Sequence, residues 1–221
     1  MPTALELDDI YLALPARSGP VDILNGVSLK VEAGECLAIV GPSGSGKSSL
    51  ISVAAGLEQI TSGRIALLGT DLTGKSEDQL AKLRRGRVSL VFQSFHLIPT
   101  MTALDNVRVP LEIAKADNVT ERATALLKEV GLSGRLDHYP GQLSGGERQR
   151  VAVARALACD PEIVFADEPT GNLDGQTGSG VADALFAVAR ERNAALVLVT
   201  HDTELAARAD RIVTMRDGKL S

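Results

Sequence analysis

The 221-residue sequence has no tryptophan, only 3% aromatic residues and no excess of positive charge, its formal net charge being -5. Proteins that bind nucleic acid in general usually present a basic face, so this balance argues against nucleic acid as a partner, although it permits a local basic patch. Long hydrophobic runs are also missing. The segment AALVLV at 194–199 is among the longest, and spanning a bilayer takes about 20 residues, so we expect no transmembrane helix.

Cysteine is scarce as well. Cys36 and Cys159 are the only two, and both lie in apolar surroundings. This favours buried, reduced thiols over a disulfide and predicts a cytosolic compartment. The N-terminal MPTALELDDI has no basic segment followed by an apolar one, so we predict no secretory signal.

Strand-like and helix-like segments alternate along most of the chain, which predicts an α/β fold with a parallel core. Two strand-like segments, LELDDIYLAL and DILNGVSLKV, open the sequence on either side of the turn-rich PARSGP. From about residue 94 to 141 the pattern becomes helical and irregular, which indicates a subdomain inserted between core strands. Further helices are predicted at 145–158 and at 181–192.

A glycine-rich stretch follows the apolar segment ECLAIV. GPSGSGKSS at 41–49 fits G-x-x-x-x-G-K-[ST] between a predicted strand and a predicted helix, the context that this motif requires. Glycines let backbone amides curl around phosphate oxygens, Lys47 neutralises the β and γ phosphates, and the Ser48 hydroxyl coordinates Mg²⁺. The predicted nucleotide-binding residues are Gly41, Pro42, Ser43, Gly44, Ser45, Gly46, Lys47, Ser48 and Ser49.

Two acidic residues end a later apolar strand. In EIVFADEP, Asp167 and Glu168 fall at the C-terminal edge of the strand, where α/β sheets bind ligands. We expect Asp167 to hold Mg²⁺, directly or through water. Glu168 is the better candidate for polarising an attacking water, because a carboxylate beyond the metal ligand is free to accept a proton.

The segment GQLSGGERQR at 141–150 combines a helix start with two glycines. Ser144 and Glu147 have the spacing of a capping box. Gly145 and Gly146 strip side chains from the positive end of that helix and leave its amides bare, at a cost of about 1 kcal/mol each in helix propensity. This pattern predicts a surface that receives an anion.

Together, GPSGSGKSS, ADEP and LSGGERQRVAVARAL resemble an ATP-binding cassette (ABC) ATPase over essentially the whole chain. The resemblance implies a single ABC ATPase domain over 1–221: a P-loop NTPase core at 1–93 and 160–221, and a helical signature subdomain at about 94–159. It also implies a mixed sheet with an antiparallel β N-terminal part.

The same resemblance assigns roles to single residues. Gln93 in VFQSF matches the Q-loop glutamine, which contacts the metal and senses the transport partner, and His201 in LVTHD matches the switch histidine that contacts the γ-phosphate. Asp174 in GNLD matches the D-loop aspartate. In this family the signature, here Ser144, Gly145 and Gly146, closes over ATP bound to another protomer. A chain with one phosphate loop and one signature is therefore expected to act as a head-to-tail homodimer with two ATP and Mg²⁺.

One position departs from the family pattern. Members usually stack adenine on an aromatic residue in the first strand region, and the position expected here is Leu14. Either Tyr11, the nearest aromatic, takes that place through a shifted register, or the base rests on an aliphatic surface, which we favour slightly.

FQSFHLIPTMTALDNVRVPL and ADEPTGNLD resemble bacterial lipoprotein-releasing and macrolide-efflux ATPases. This implies a peripheral subunit on the cytoplasmic face of the inner membrane, which drives a separate permease that contacts roughly 94–110. The apolar residues of the segment either form the docking patch or fill the core of the helical subdomain. They are Phe95, Leu97, Ile98, Pro99 and Met101.

Two alternatives remain. One is a cell-division ABC ATPase, whose permease signals without transport. The other is a soluble ABC ATPase of translation or DNA repair, which usually has two cassettes or a coiled-coil insertion, and this sequence has neither.

Overall fold

A computed structural model describes residues 2–16, 19–173 and 175–221, without the side chains of residues 175–177 and 188. Within these ranges, no helix has the length and apolarity needed to cross a membrane. The chain divides into two compact units. The first consists of Met1–Arg84 and Ala195–Ser221, and the second is Arg85–Ala194.

The first unit contains an antiparallel sheet with the strand order β2-β1-β4-β5. Its long strands alternate buried and exposed residues, as strands do when only one face of a sheet is covered. Leu5, Ile10 and Val27 lie on the buried face. The strands are β1 (Thr3–Leu14), β2 (Val21–Glu32), β4 (Ser62–Leu67) and β5 (Thr70–Asp71).

A second group of strands in this unit is mainly parallel. β3 (Cys36–Val40) pairs in parallel with β8 (Ala195–Val199) on one side and β9 (Arg211–Arg216) on the other, and β10 (Lys219–Leu220) adds an antiparallel edge. Both β3 and β8 are nearly all buried, which explains their continuous apolar sequence. The helices of the unit are α1 (Lys47–Ala54), α2 (Glu77–Arg84) and α7 (Thr203–Ala206).

The second unit combines a parallel strand pair with most of the helices. β6 (Val88–Phe92) pairs with β7 (Ile163–Asp167), and a 3₁₀ turn covers Pro140–Gln142. One apolar core joins three of its helices, with Val107, Leu127 and Val151 among its buried members. The helices are α3 (Ala103–Ala114), α4 (Val119–Glu129), α5 (Gly145–Leu157) and α6 (Gly175–Glu191).

The predicted fold class is confirmed: an α/β protein with parallel strands, an antiparallel N-terminal sheet and a helical block between core strands. Cys36 is buried and Cys159 is partly buried, both as thiols. The helix predicted at 181–192 is longer than expected and begins at Gly175.

Candidate functional site

The loop 41–46 between β3 and α1 has a backbone that only glycine accommodates at two positions. Gly41 and Gly46 have φ angles of 150° and 102°. A Cβ atom at Gly41 would lie 2.1 Å from the carbonyl oxygen of Met215, and one at Gly46 would lie 2.9 Å from that of Ile23. These contacts with fixed backbone make both glycines necessary for the fold of this chain.

Lys47 places a positive charge inside this loop. Its Nζ donates to the carbonyl oxygens of Gly41 and Pro42 at 2.9 and 2.8 Å, and the residue is only 8% exposed. Within the ranges that the structure describes, no carboxylate forms an ion pair with Lys47. A buried ammonium group without an acidic neighbour favours binding of an anion.

Two further features of the loop also fit an anion. The hydroxyl of Ser45 is buried and has no hydrogen-bond partner in the described part of the chain. Gly46 is the N-cap of α1 and offers no capping side chain, so the first amides of that helix are open to a ligand. Ser48 is exposed and Ser49 partly buried, while Pro42, Ser43 and Gly44 form the exposed rim of the loop.

His201 lies at the same edge of the parallel strands as the loop 41–46. β3 and β8 run in parallel with Ile39 opposite Val199, so the segments that follow them emerge together. The exposed His201 lies between the buried Thr200, whose Oγ1 accepts from the Asp202 amide at 3.0 Å, and Asp202, which caps α7.

In the second unit, the ends of β6 and β7 bring three predicted residues together. Phe92 pairs with Asp167, so Gln93 and Glu168 follow neighbouring strand ends. Asp167 and Glu168 are both partly buried, and Glu168 has a left-handed φ of 48°. Such backbone strain in a residue without glycine's freedom is often found at functional sites.

Gln93 is fixed to the loop that follows β7. Its Nε2 donates to Oδ1 of Asn172 at 3.3 Å, and Nδ2 of Asn172 donates to the Gln93 carbonyl at 3.0 Å. Gly171 lies close to both Gln93 and Glu168, since a Cβ there would be 3.0 Å from Gln93 Nε2 and 3.4 Å from Glu168 Cβ. The glutamine and the acidic loop thus form one local structure.

The capping box predicted at the start of α5 is present. The Glu147 amide donates to Ser144 Oγ at 3.2 Å, and the Ser144 amide donates to Glu147 Oε2 at 2.8 Å. Nε of Arg135 also donates to Glu147 Oε1 at 2.8 Å. The bond from the Ser144 backbone, followed by that from Arg135, lowers the pKa of Glu147 to about 2.

The glycines after Ser144 lie in a different environment from those of the first loop. Ser144 is exposed. Of the residues that the structure describes, a Cβ at Gly145 would meet only Leu173, at 3.7 Å, which is an ordinary van der Waals contact. Gly146 is buried. Asp174, the predicted D-loop residue, lies outside the described residues.

The adenine alternatives and the apolar segment are placed as follows. Tyr11 lies on β1, is 41% exposed, and its Oη would come within 3.0 Å of a Cβ at Gly26, whereas Leu14 is partly buried at the end of the strand. Both alternatives for the adenine contact stand. In the apolar segment, Leu97 packs against the helical core and Pro99 is exposed. Phe95, Ile98 and Met101 are partly buried.

Sequence reasoning missed three residues that organise this unit. Asn172 holds Gln93, Asn106 is completely buried, and Arg155 donates to the carbonyl oxygens of Phe95 and His96. Asn106 carried a signal, because it lies on the same helical face as the apolar Ala103 and Val107. The partner of Arg155 is 60 residues away, and no local pattern predicts such a contact.

Comparisons with known proteins agree with this arrangement. A family model described as "ABC transporter" matches residues 24–171. The ABC transporter ATP-binding protein YbbA of Escherichia coli K12 is 52% identical over 90% of this chain and 89% of its own length. The lipoprotein-releasing system ATP-binding protein LolD 2 of Caulobacter vibrioides is 49% identical over 98% and 96%.

Among solved structures, a dimer of the ATP-binding cassette MJ0796, bound to ADP and Pi in a post-hydrolysis state, is similar to this chain. Its TM-score is 0.92 at 36% sequence identity, with 98% of this chain and 96% of that chain covered. The fold matches over nearly the whole length of both chains. The chain therefore belongs to the ATP-binding proteins of the ABC transporter family.

Proposed function

We propose that this chain is the ATP-hydrolysing subunit of a bacterial ABC transporter of the lipoprotein-releasing type. It works on the cytoplasmic face of the inner membrane as a head-to-tail homodimer and drives a separate membrane permease. The permease extracts or exports a lipoprotein or another lipophilic compound. In this proposal residues 1–93 and 160–221 form the nucleotide-binding core, and about 94–159 form the signature subdomain.

The observation that carries the proposal is the open N-terminus of α5. Among the described residues, a Cβ added at Gly145 would meet only Leu173, at 3.7 Å, so these residues leave room at that glycine. Bare amides at a positive helix end favour a phosphate. A second copy of the chain carries such a phosphate when its own loop at 41–49 holds ATP, and the related cassette MJ0796 is dimeric.

The first loop fits ATP and Mg²⁺ by its chemistry. Lys47 is buried and donates to backbone carbonyl groups, and its charge suits the β and γ phosphates. The exposed Ser48 hydroxyl, Asp167 and the Gln93 side chain are oxygen donors of the kind that Mg²⁺ prefers. When bound, the ion neutralises charge on the phosphate oxygens. The remaining loop residues that we assign to the nucleotide are Gly41, Pro42, Ser43, Gly44, Ser45, Gly46 and Ser49.

The reaction is hydrolysis of ATP to ADP and phosphate. We assign to Glu168 the proton of the attacking water, because its carboxylate follows Asp167 at the strand end, and to His201 a contact with the γ-phosphate. Ser144, Gly145, Gly146 and Asp174 complete the site of the other protomer. Positive charge at the start of α5 replaces an arginine finger.

Two relatives support the transport subtype. LolD 2 of Caulobacter vibrioides and LolD of Legionella pneumophila are named for the lipoprotein-releasing system, at 49% and 48% identity. We propose that residues 94–110 form the groove for the cytoplasmic helix of the permease, next to Gln93. Membrane association that depends on a co-expressed permease tests this part of the proposal.

The decisive experiment uses Glu168→Gln. The variant keeps the side-chain shape but cannot accept a proton, so it is expected to bind Mg-ATP, to lose turnover by about 100-fold or more, and to accumulate as a dimer. Light scattering with and without Mg-ATP measures the dimer, and phosphate release measures turnover.

Glu162→Gln is the matched control, because this acid precedes the same strand and pairs with Arg87 in solvent. This variant is expected to retain wild-type turnover and not to accumulate as a dimer. Wild-type turnover in Glu168→Gln, or a rate per chain that does not fall on dilution of the wild type, contradicts the proposed function.

A further inference from the structure

Arg155 of the signature helix α5 forms two hydrogen bonds with segment 94–102, which follows Gln93. Nη2 of Arg155 donates to the Phe95 carbonyl at 2.8 Å, and Nη1 donates to the His96 carbonyl at 2.5 Å. A planar guanidinium group binds two such acceptors in a fixed geometry. The position of the segment is thereby tied to the position of the helix.

The two acceptor residues have a backbone that needs such support. Phe95 and His96 have φ angles of 59° and 46°, two consecutive residues in the left-handed region without glycine's freedom. Conformations of this kind persist only where the surrounding structure holds them. The two bonds from Arg155 supply that hold at both carbonyl groups.

A second arginine of the same helix contacts the same segment. The guanidinium carbon of Arg148 lies 5.3 Å from the centroid of the Phe95 ring. Arg148 and Arg155 are seven residues apart, which is about two helical turns, and therefore lie on one face of α5. This face begins next to Ser144, Gly145 and Gly146. It contacts the segment through Arg148 and Arg155.

The other end of the segment is fixed to α3. Oδ1 of the completely buried Asn106 accepts from the Ile98 amide at 2.8 Å. Its Nδ2 lies within hydrogen-bond distance of the carbonyl oxygens of Ile98, Met101 and Thr102. Since α3 and α5 share one apolar core, both attachments belong to the same packed body.

Arg155 has no paired acid among the residues that the structure describes. In the described residues no carboxylate forms an ion pair with it, and burial lowers the pKa of its guanidinium group from the usual range. A half-buried charge held only by carbonyl oxygens is costly. Stabilising the protein surface does not require such a half-buried charge at position 155.

We propose that Arg155 is a positioning residue that couples the signature helix to segment 94–102, so that closure of the helix on ATP moves the segment with it. This inference rests on the proposed function, because it needs both ATP-dependent closure and a segment that serves the permease. It adds the residue through which the two are connected. Coupling of this kind requires direct evidence, not proximity alone.

The test follows amide hydrogen exchange in the Glu168→Gln background, with and without Mg-ATP. In that parent, ATP is expected to slow exchange at least tenfold both at Gly145–Arg148 and at Phe95–Ile98. With Arg155→Met added, slowing at Gly145–Arg148 is expected to remain while the response at Phe95–Ile98 is lost. Arg155→Lys, which keeps the charge without the planar fork, is expected to retain a partial response and to report even if the methionine variant does not fold.

Arg122→Met is the matched control. Nη2 of Arg122 also donates to a backbone carbonyl, that of Ala158, and to Asp160, and among the described contacts it has none with the segment. It is expected to keep both responses. A full response at Phe95–Ile98 in Arg155→Met and Arg155→Lys, or no response there in the parent despite slowing at Gly145–Arg148, overturns the coupling alone. No ATP effect at Gly145–Arg148 in the parent overturns the proposed function as well.

Discussion

Two glycine-rich segments of this molecule lie at helix starts, one at 41–46 before α1 and one at 145–146 in α5. Their glycines are subject to different steric constraints. At 41–46 the chain's own backbone excludes a side chain, because a Cβ at Gly41 would lie 2.1 Å from the Met215 carbonyl oxygen. At Gly145 a Cβ would make an ordinary contact with Leu173, at 3.7 Å. Since the described residues leave room for a side chain at Gly145, we propose that its constraint comes from outside the chain.

The comparison predicts its largest effect for Gly41→Ala. The new methyl group collides with fixed backbone in a loop that already has φ of 150°, so we expect a loss of about 3 kcal/mol of unfolding free energy together with loss of ATP binding. Urea denaturation and binding of a fluorescent ATP analogue measure both. Stability and affinity equal to those of the wild type would show that the loop can move aside freely.

Gly145→Ala is expected to separate folding from catalysis. Alanine raises helix propensity by up to about 1 kcal/mol, so the unfolding free energy is expected to stay constant or to rise. ATPase activity is expected to fall about 100-fold, as when a preorganised donor group is displaced from a transition state. The paired measurements are urea denaturation and phosphate release.

Gly141→Ala provides the control for that variant, because a Cβ at Gly141 meets nothing within 4 Å and the residue lies just before the signature. It is expected to change neither quantity. Normal ATP hydrolysis by Gly145→Ala would show that no constraint from outside the chain requires glycine at this position.

The same comparison explains how much was predictable. The phosphate loop, the acids after β7 and the capping box at Ser144 depend on residues within a few positions of one another, so their spacing in the sequence was sufficient. The packing of Gly41 on Met215 and the bonds of Arg155 to Phe95 and His96 join distant parts of the chain. Helix α6 starts at Gly175, before the predicted residue 181, because tertiary structure overrides the low helix propensity of its glycines.

The pH dependence of Glu147 tests the local, sequence-predictable part of the signature. Its pKa of about 2 in the folded chain lies below the ordinary value of 4.5 for a glutamate. Its contribution to stability is therefore fully present above pH 4.5 and is lost as the pH falls toward 2. Glu147→Gln is expected to cost about 1 kcal/mol at pH 7, with the difference from wild type shrinking below pH 4.5. Urea denaturation at pH 7 and pH 4 measures it.

Glu121→Gln is the control, because Glu121 also occupies the first turn of a helix but is exposed and has no hydrogen bond among the described contacts. A difference that grows on acidification, or an equal cost for the two variants, would show that the bonds to Ser144 and Arg135 do not stabilise the ionised form of Glu147.

The smallest change in unfolding free energy is expected at the C-terminal end of α5, which is held by contacts within the chain. Arg122 and Arg192 donate to the last carbonyls of the helix, those of Ala158 and Leu157, and both pair with Asp160. Asp160→Asn is expected to cost only about 0.5–1 kcal/mol, because Asp160 is largely exposed and exposed pairs are screened. The cost is expected to shrink in 1 M NaCl, where the Debye length is about 3 Å.

Asp160→Gly sharpens this last prediction, since Asp160 has φ of 52°. Glycine removes both ion pairs but relieves the left-handed strain, so the two changes are expected to cancel to within about 0.5 kcal/mol. A cost above 2 kcal/mol for either variant, measured by urea denaturation, would mean that the ion pairs themselves hold this end of the helix. Small costs for both variants would show that the apolar core and the arginine–carbonyl bonds anchor this end of the helix.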